Sequence, residues 1–451
     1  MPVQGYVMTT PMWVAVGIML FAYVLIFSEV LHRTSAGIIG AVVMVGVGTV
    51  FGFYSQEAAV AAVDGNTLLL LLAMMLMVAM LRPTGGFEYL AIRLAKLSCS
   101  DPRLLLIYLC VAVTILSMFL DNVTTVLIFA PLTVLITRML NLNPVPFLIA
   151  EAMLSNIGGA STLVGDPPNL MIGSAAGLDF TYFMTHMMPL ILPAWIATLA
   201  LVMFMFRHDL KPAGNNGYDI DLDESKAIHD MAGLRRISVA LLLVIVLFFF
   251  HHRLHLFPAY VAWIGVAVAL LIARPDPEAL FPHVVWSVLL FFASLFVIVG
   301  GVEASGLLDL VGHLLASNAA QPETLLWSAL ALMWGAALLS ALVDNIPFTV
   351  TMIPIITVLE TQGINIQPFW WALAVGVGLG GNATHIGATA NSICITEAER
   401  SRHPGRKITA LQWMGSGVPV TVVSLAIASV VFILLFSWLS SQAPVVASLG
   451  T

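Results

Sequence analysis

The chain has 451 residues, 60% of them hydrophobic and only 9% charged. Soluble domains carry about 25% charged residues, so a soluble globular fold is excluded in favour of a multi-span helical membrane protein. The net charge of −7 is thinly spread, with no basic patch for nucleic acid, and Cys99, Cys110 and Cys394 lie too far apart in sequence for a disulfide framework or a metal motif.

The first apolar run, about 12–31, lacks the basic region and small-residue cleavage site of a removable leader and reads as a retained helix. Further spans are expected at 36–54, 67–82, 145–172, 186–206, 235–254, 258–273, 284–300, 368–395 and 413–440. Their lengths bracket the roughly 20 residues that cross a bilayer as a helix. Two apolar pairs, 104–120 with 123–140 and 324–342 with 346–360, are split only by Asp121-Asn122 and Asp344-Asn345. Each pair is either a re-entrant hairpin or two full spans, since both preserve parity. Segments 86–98 and 303–315, which precede the pairs, read as amphipathic surface helices. The polar stretch 207–234 reads as a flexible linker between two halves. With the N-terminus outside, alternation puts every Lys and Arg except Arg253 on the inside, Arg33 among them as a loop residue. Ten spans with both termini outside are therefore expected.

The halves repeat. Asp121-Asn122 and Pro131 match Asp344-Asn345 and Pro354 at one constant offset. Gly158-Gly159, Thr162, Gly165 and Asn169 match Gly380-Gly381, Thr384, Gly387 and Asn391 at an offset one residue shorter. Each half holds five spans. Because five is odd, the second half enters the membrane upside down, the inverted repeat of secondary transporters. The expected units are a first repeat at 1–206, the linker at 207–234, and a second repeat at 235–451.

The polar breaks carry the chemistry. Paired glycines and prolines interrupt apolar runs at 155–169 and 378–391, freeing backbone groups that need a protein partner or a wet cavity. The alternative is close helix packing through small residues. Asp121 and Asp344 stand between apolar arms, where an acid is costly and marks function by default, although a turn at the interface would also use Asp-Asn. Asp166, matched by Ala388, is expected to hold a proton or cation, or to cap the half-helix after it. Glu151 and His385 are further candidates for proton or cation coupling. The expected substrate contacts are Asn122, Thr124, Asn156, Gly158, Gly159, Ser161, Thr162 and Asn169 in the first half. In the second they are Asn345, Gly380, Gly381, Asn382, Thr384 and Asn391. His251, His252 and His255 read as surface residues rather than a metal site.

Asp121-Asn122-Val123-Thr124-Thr125, followed by Asn156-Ile157-Gly158-Gly159-Ala160 and Gly165-Asp166-Pro167-Pro168-Asn169, resembles the ion transporter superfamily. The branch it resembles holds ArsB-type arsenite permeases, NhaD-type sodium/proton antiporters and the melanosomal P protein. The resemblance covers nearly the whole chain. It implies re-entrant hairpins at 104–140 and 324–360 and broken helices at 145–172 and 368–395. It also implies a scaffold of spans 1–3 and 6–8, an elevator-like transport domain, and a homodimer. Dicarboxylate members of the superfamily carry Ser-Asn-Thr at the hairpin tip and the break. Here Asp stands first at both tips, which favours a cation, a proton or a neutral solute over a multiply charged anion.

The expected function is proton-coupled secondary transport in a bacterial inner membrane, exporting arsenite or antimonite in exchange for protons. The rivals are a sodium/proton antiporter, an anion or carboxylate carrier, and a passive channel. No cofactor and no metal site are expected, and a cytoplasmic ATPase partner stays open. An enzyme reading finds no nucleophile–base pair.

Overall fold

The computed structural model describes residues 8–28, 30–99, 101–210, 227–310, 324–342, 345–400 and 408–441. Asp344, most of the linker and the end of segment 303–315 lie outside them. Helices make up the fold, and the described residues contain no strand.

The first half begins with α1 (Thr10–Phe27), α2 (Arg33–Val50), the short α3 (Gln56–Ala61) and α4 (Gly65–Leu81). α5 (Gly86–Leu97) leads into a helical hairpin of α6 (Pro102–Phe119) and α7 (Asn122–Met139). α8 (Pro144–Gly159) and α9 (Pro167–Ala175) form one interrupted span, and α10 (Phe180–Met205) closes the half. The second half repeats the order with α11 (Met231–Phe250), α12 (Pro258–Ala273), the short α13 (Pro277–Leu280) and α14 (Trp286–Ala304). Its hairpin is α15 (Leu325–Leu342) with α16 (Asn345–Thr361), and its interrupted span is α17 (Gln367–Gly380) with α18 (Thr389–Arg400). α19 (Ala410–Leu434) and α20 (Phe436–Leu439) end the described chain. The linker is shorter than the sequence suggests, because α11 starts at Met231, with Asp230 Oδ1 accepting from Gly233 N at 2.9 Å.

Sequence explains the boundaries. Pro144 and Pro167 sit at first-turn positions, where a missing N–H costs nothing. Pro131 and Pro354 lie inside α7 and α16 at matched places, where each removes one helical hydrogen bond.

The hairpins are re-entrant. Their 18-residue arms α6 and α7 would measure about 27 Å. The tip between them ends against the interrupted span: Asn122 N donates to Gly165 O inside the first break at 3.1 Å. Each hairpin with its interrupted span is braced identically in the two halves. Thr162 Oγ1 donates to Met118 O and accepts from Gly165 N at 3.1 Å; Thr384 Oγ1 donates to Ala341 O at 2.5 Å and accepts from Gly387 N at 3.0 Å. Asn169 Nδ2 donates to Gly159 O and Thr162 O, as Asn391 Nδ2 does to Gly381 O and Thr384 O. These residues bind the freed carbonyls that a broken helix leaves in the membrane.

The helices pack in groups. α1, α2 and α14 pack together, and so do α4, α11 and α12. α6 and α7 pack on α8, α15 on α17, and α10 on α19. α18 crosses onto α7 and α8, and α9 onto α16, so the two hairpin units interlock. Gly378 allows this crossing: a Cβ there would stand 2.7 Å from Ala160 Cβ in the opposite break.

Candidate functional site

Both breaks and the first hairpin tip meet in a buried amide chain. Asn391 and Asn382 spend their amide hydrogens on backbone carbonyls, Asn382 on Met153 O at 3.2 Å. Carbonyls only accept, so both side-chain oxygens must turn the other way. They accept from Asn156 Nδ2, at 2.8 Å to Asn382 and 3.0 Å to Asn391. Asn156 Oδ1 in turn accepts from Asn122 Nδ2 at 3.0 Å, and the same nitrogen reaches Asp166 Oδ1 at 3.5 Å. The chain ends on Asn122 Oδ1, a buried acceptor with no hydrogen-bond partner. Four amides from both halves thus aim one oxygen at the hairpin tip.

Beside that tip lies a small cavity of about 30 Å³. Asp121, Asn122 and Thr124 of the first tip line it, with Asp166 and Pro167 of the first break and Asn345 of the second tip. Its volume suits one or two water molecules. Asp121 is 5% exposed and Asp166 3%, so both acids are removed from bulk water. Asp121 caps α7, its Oδ1 accepting from Thr124 N at 2.8 Å. Asp166 precedes α9 but makes no side-chain cap, so the capping role open to it from sequence is not realised.

The remaining expected site residues fall into two sets. Gly158, Gly159, Ser161, Thr162 and Asn169, with Gly380, Gly381, Thr384 and Asn391, belong to the two breaks and do not line the cavity, while Asn156 and Asn382 join Asn122 and Asn391 in the amide chain. Glu151 and His385 do not line the cavity. Glu151 is 1% exposed and accepts from Thr133 Oγ1 at 2.5 Å, between α7 and α8.

Sequence reasoning missed Arg33. Counted as a loop charge, it opens α2 and lines the cavity with the two acids. Its Nη1 donates to Thr389 Oγ1 at 2.8 Å, and its guanidinium stands 5.7 Å from the Phe291 ring centroid. The residue marks the end of an apolar run and carries no local signal of burial. Phe291 and Phe292 of α14 and Met75 of α4 complete the wall.

Inverted repeats, re-entrant tips and paired broken helices around a buried cavity define a multi-pass membrane transporter of the ion transporter superfamily. Within it, the chain belongs to the Citrate transporter family (CitMHS), which it matches over residues 23–376. It is 37% identical to an uncharacterized transporter of Mycobacterium tuberculosis (strain ATCC 25618 / H37Rv), covering 92% of this chain and 97% of that protein. The 46 kDa membrane protein of Mycobacterium leprae is 36% identical with the same coverage. The P protein of Homo sapiens is 32% identical over 92% of this chain, which spans 59% of that longer protein. The fold is that of the Alcanivorax borkumensis YdaH transporter, with a TM-score of 0.59 at 14% identity, covering 95% of this chain and 99% of that one.

Proposed function

We propose that the chain is a proton-coupled secondary transporter that exports trivalent arsenic or antimony, as neutral hydroxy acids, in exchange for protons. The observation that carries this reading is the acceptor character of the cavity. Asn122 presents an unpartnered oxygen beside the carboxylates of Asp121 and Asp166. A trihydroxy acid offers three hydroxyl donors to such a wall and brings no charge to be desolvated. Asp121 and Asp166 would carry the coupling proton, with Asp344 at the matching tip. Export runs toward the side that holds both termini, across a bacterial inner membrane, and the working unit is a homodimer of two repeats at 1–206 and 235–451. No enzymatic step is part of this reading.

Two observations favour other cargoes. A cavity of about 30 Å³ would hold a sodium ion more readily than a hydroxy acid, which supports a sodium/proton antiporter using the same acids. Arg33 on the cavity wall, with the family's description as citrate transporters, supports a carboxylate carrier. A carboxylate brings only acceptors to a wall already rich in them, which ranks this last.

The test uses the purified chain in proteoliposomes with an internal pH dye and an imposed pH gradient. Arsenite, sodium and citrate are added in turn. A response to arsenite alone supports the proposal, and a response to sodium or citrate moves the cargo accordingly. Silence for all three removes proton coupling.

A further inference from the structure

Arg33 belongs to α2, which packs on α1 and α14, whereas the acids it faces belong to the hairpin and broken-helix group. It is therefore a cation set across the boundary between two packing groups. On its far side opens a vestibule of about 660 Å³, whose charged and titratable lining is His32, Arg33, Glu397 and Arg400. Arg400 is engaged with Glu397 at 2.8 Å. Among the described residues the acids lining the cavity are Asp121 and Asp166, while Arg82 and His283 line a separate small cavity that Thr124 also lines. Arg33, Phe291 and Thr389 line both the cavity and the vestibule, and Arg33 donates to Thr389.

We infer that Arg33 is a fixed countercharge that displaces the coupling proton: in this conformation its guanidinium neutralises the cavity acids, and when the hairpin group slides away the acids must take up a proton instead. The inference rests on the proton-coupled reading above. The guanidinium of Arg33 supplies a positive charge, and it acts by where that charge stands. A positive charge on the wall of the same cavity favours the ionised carboxylate and would favour proton release. The bond to Thr389 ties the countercharge to α18, the element whose departure would break the arrangement.

The experiment measures arsenite-driven proton movement against vestibule-side pH in proteoliposomes of the full chain. The unmodified protein is compared with Arg33→Gln, Arg33→Lys and Thr389→Val. Loss of the countercharge makes the acids hold their proton to higher pH. The half-maximal pH of Arg33→Gln should therefore rise by about one unit, a tenfold change in proton concentration. Arg33→Lys and Thr389→Val keep the charge and should stay within a few tenths of a unit. A slower Arg33→Gln with an unmoved midpoint would make Arg33 merely structural and overturn the inference, leaving the proton-coupled reading intact. If Arg33→Gln does not fold, Arg33→Lys decides: a midpoint displaced tenfold with the charge retained overturns the inference. An unmodified protein that moves no protons with arsenite or sodium overturns both readings together.

Discussion

Asn156 of the first repeat donates its side-chain amide to Asn382 Oδ1 of the second at 2.8 Å, at the crossing of the two broken helices. The same nitrogen serves Asn391, and its own oxygen receives Asn122. Asn156→Ala therefore strands three buried polar groups at once, at a cost of about 1–3 kcal/mol for each that finds no new partner. We expect a lowered melting temperature in detergent and lost transport. Asn156→Asp should be worse, because a carboxylate would face two carbonyl oxygens. An unchanged melting temperature in Asn156→Ala would show that the amide chain does not hold the halves together.

Asp121 and Asp166 line one cavity but differ in what their removal does to the fold. Asp121 caps α7, so Asp121→Ala should lose about 1 kcal/mol of stability, whereas Asp121→Asn keeps an accepting oxygen and should lose little. Asp166 holds no cap, so Asp166→Asn should leave expression and melting unchanged while abolishing the proton response. Normal proton-driven transport by a well-expressed Asp166→Asn would remove Asp166 from the coupling machinery.

Much of this arrangement was legible because the chain repeats itself. Matched pairs such as Thr162 with Thr384 and Asn169 with Asn391 predicted duplicated structure, and their hydrogen bonds prove identical in kind. The helix ends at Gly159 and Gly380 fall where paired glycines interrupt the apolar runs. What the pattern could not separate was bracing from binding. Ser161 and Asn169 look like ligand contacts in sequence, yet they hydrogen-bond carbonyls of their own break, and Thr162 donates to Met118 O of the hairpin. Nor could it find Arg33, because span topology assigns a charge to a side of the membrane and says nothing of the three-dimensional neighbour it reaches.

Close approach at the tips gives a third prediction. A Cβ on Gly165 would stand 2.5 Å from Ser117 O, a backbone atom that cannot rotate away. At its counterpart Gly387 the nearest atom would be Gly381 O at 2.7 Å, with Ser340 O at 3.1 Å, a slightly looser fit. Gly165→Ala should destabilise by about 1–3 kcal/mol and Gly387→Ala by less. Gly17→Ala on α1, with nothing within 4 Å, should be near neutral or slightly stabilising. Melting temperatures of the three variants check the order, and equal effects would contradict the tip geometry.

Glu151 is buried beside Thr133 and away from the cavity. Glu151→Gln retains an oxygen to accept the Thr133 hydroxyl, so arsenite half-saturation and the pH midpoint should stay unchanged. Glu151→Ala leaves that hydroxyl unpaired and opens a void, and should lower the melting temperature. A displaced pH midpoint in Glu151→Gln would return this acid to the coupling machinery.

The four-amide chain carries no net charge. The membrane voltage therefore exerts no net force on it, whereas each uncompensated charge carried across 100 mV exchanges about 2.3 kcal/mol with the field. On the proposed mechanism Asp121, Asp166 and whatever they hold would set the electrical cost of each half-cycle, while Arg33 would stay behind. A hairpin group that crosses with its acids protonated moves silently; one that crosses with them bare is pulled by the potential. On the proposed proton exchange, the asymmetry between Asp166 and its counterpart Ala388 would set how strongly a membrane voltage biases the direction of transport.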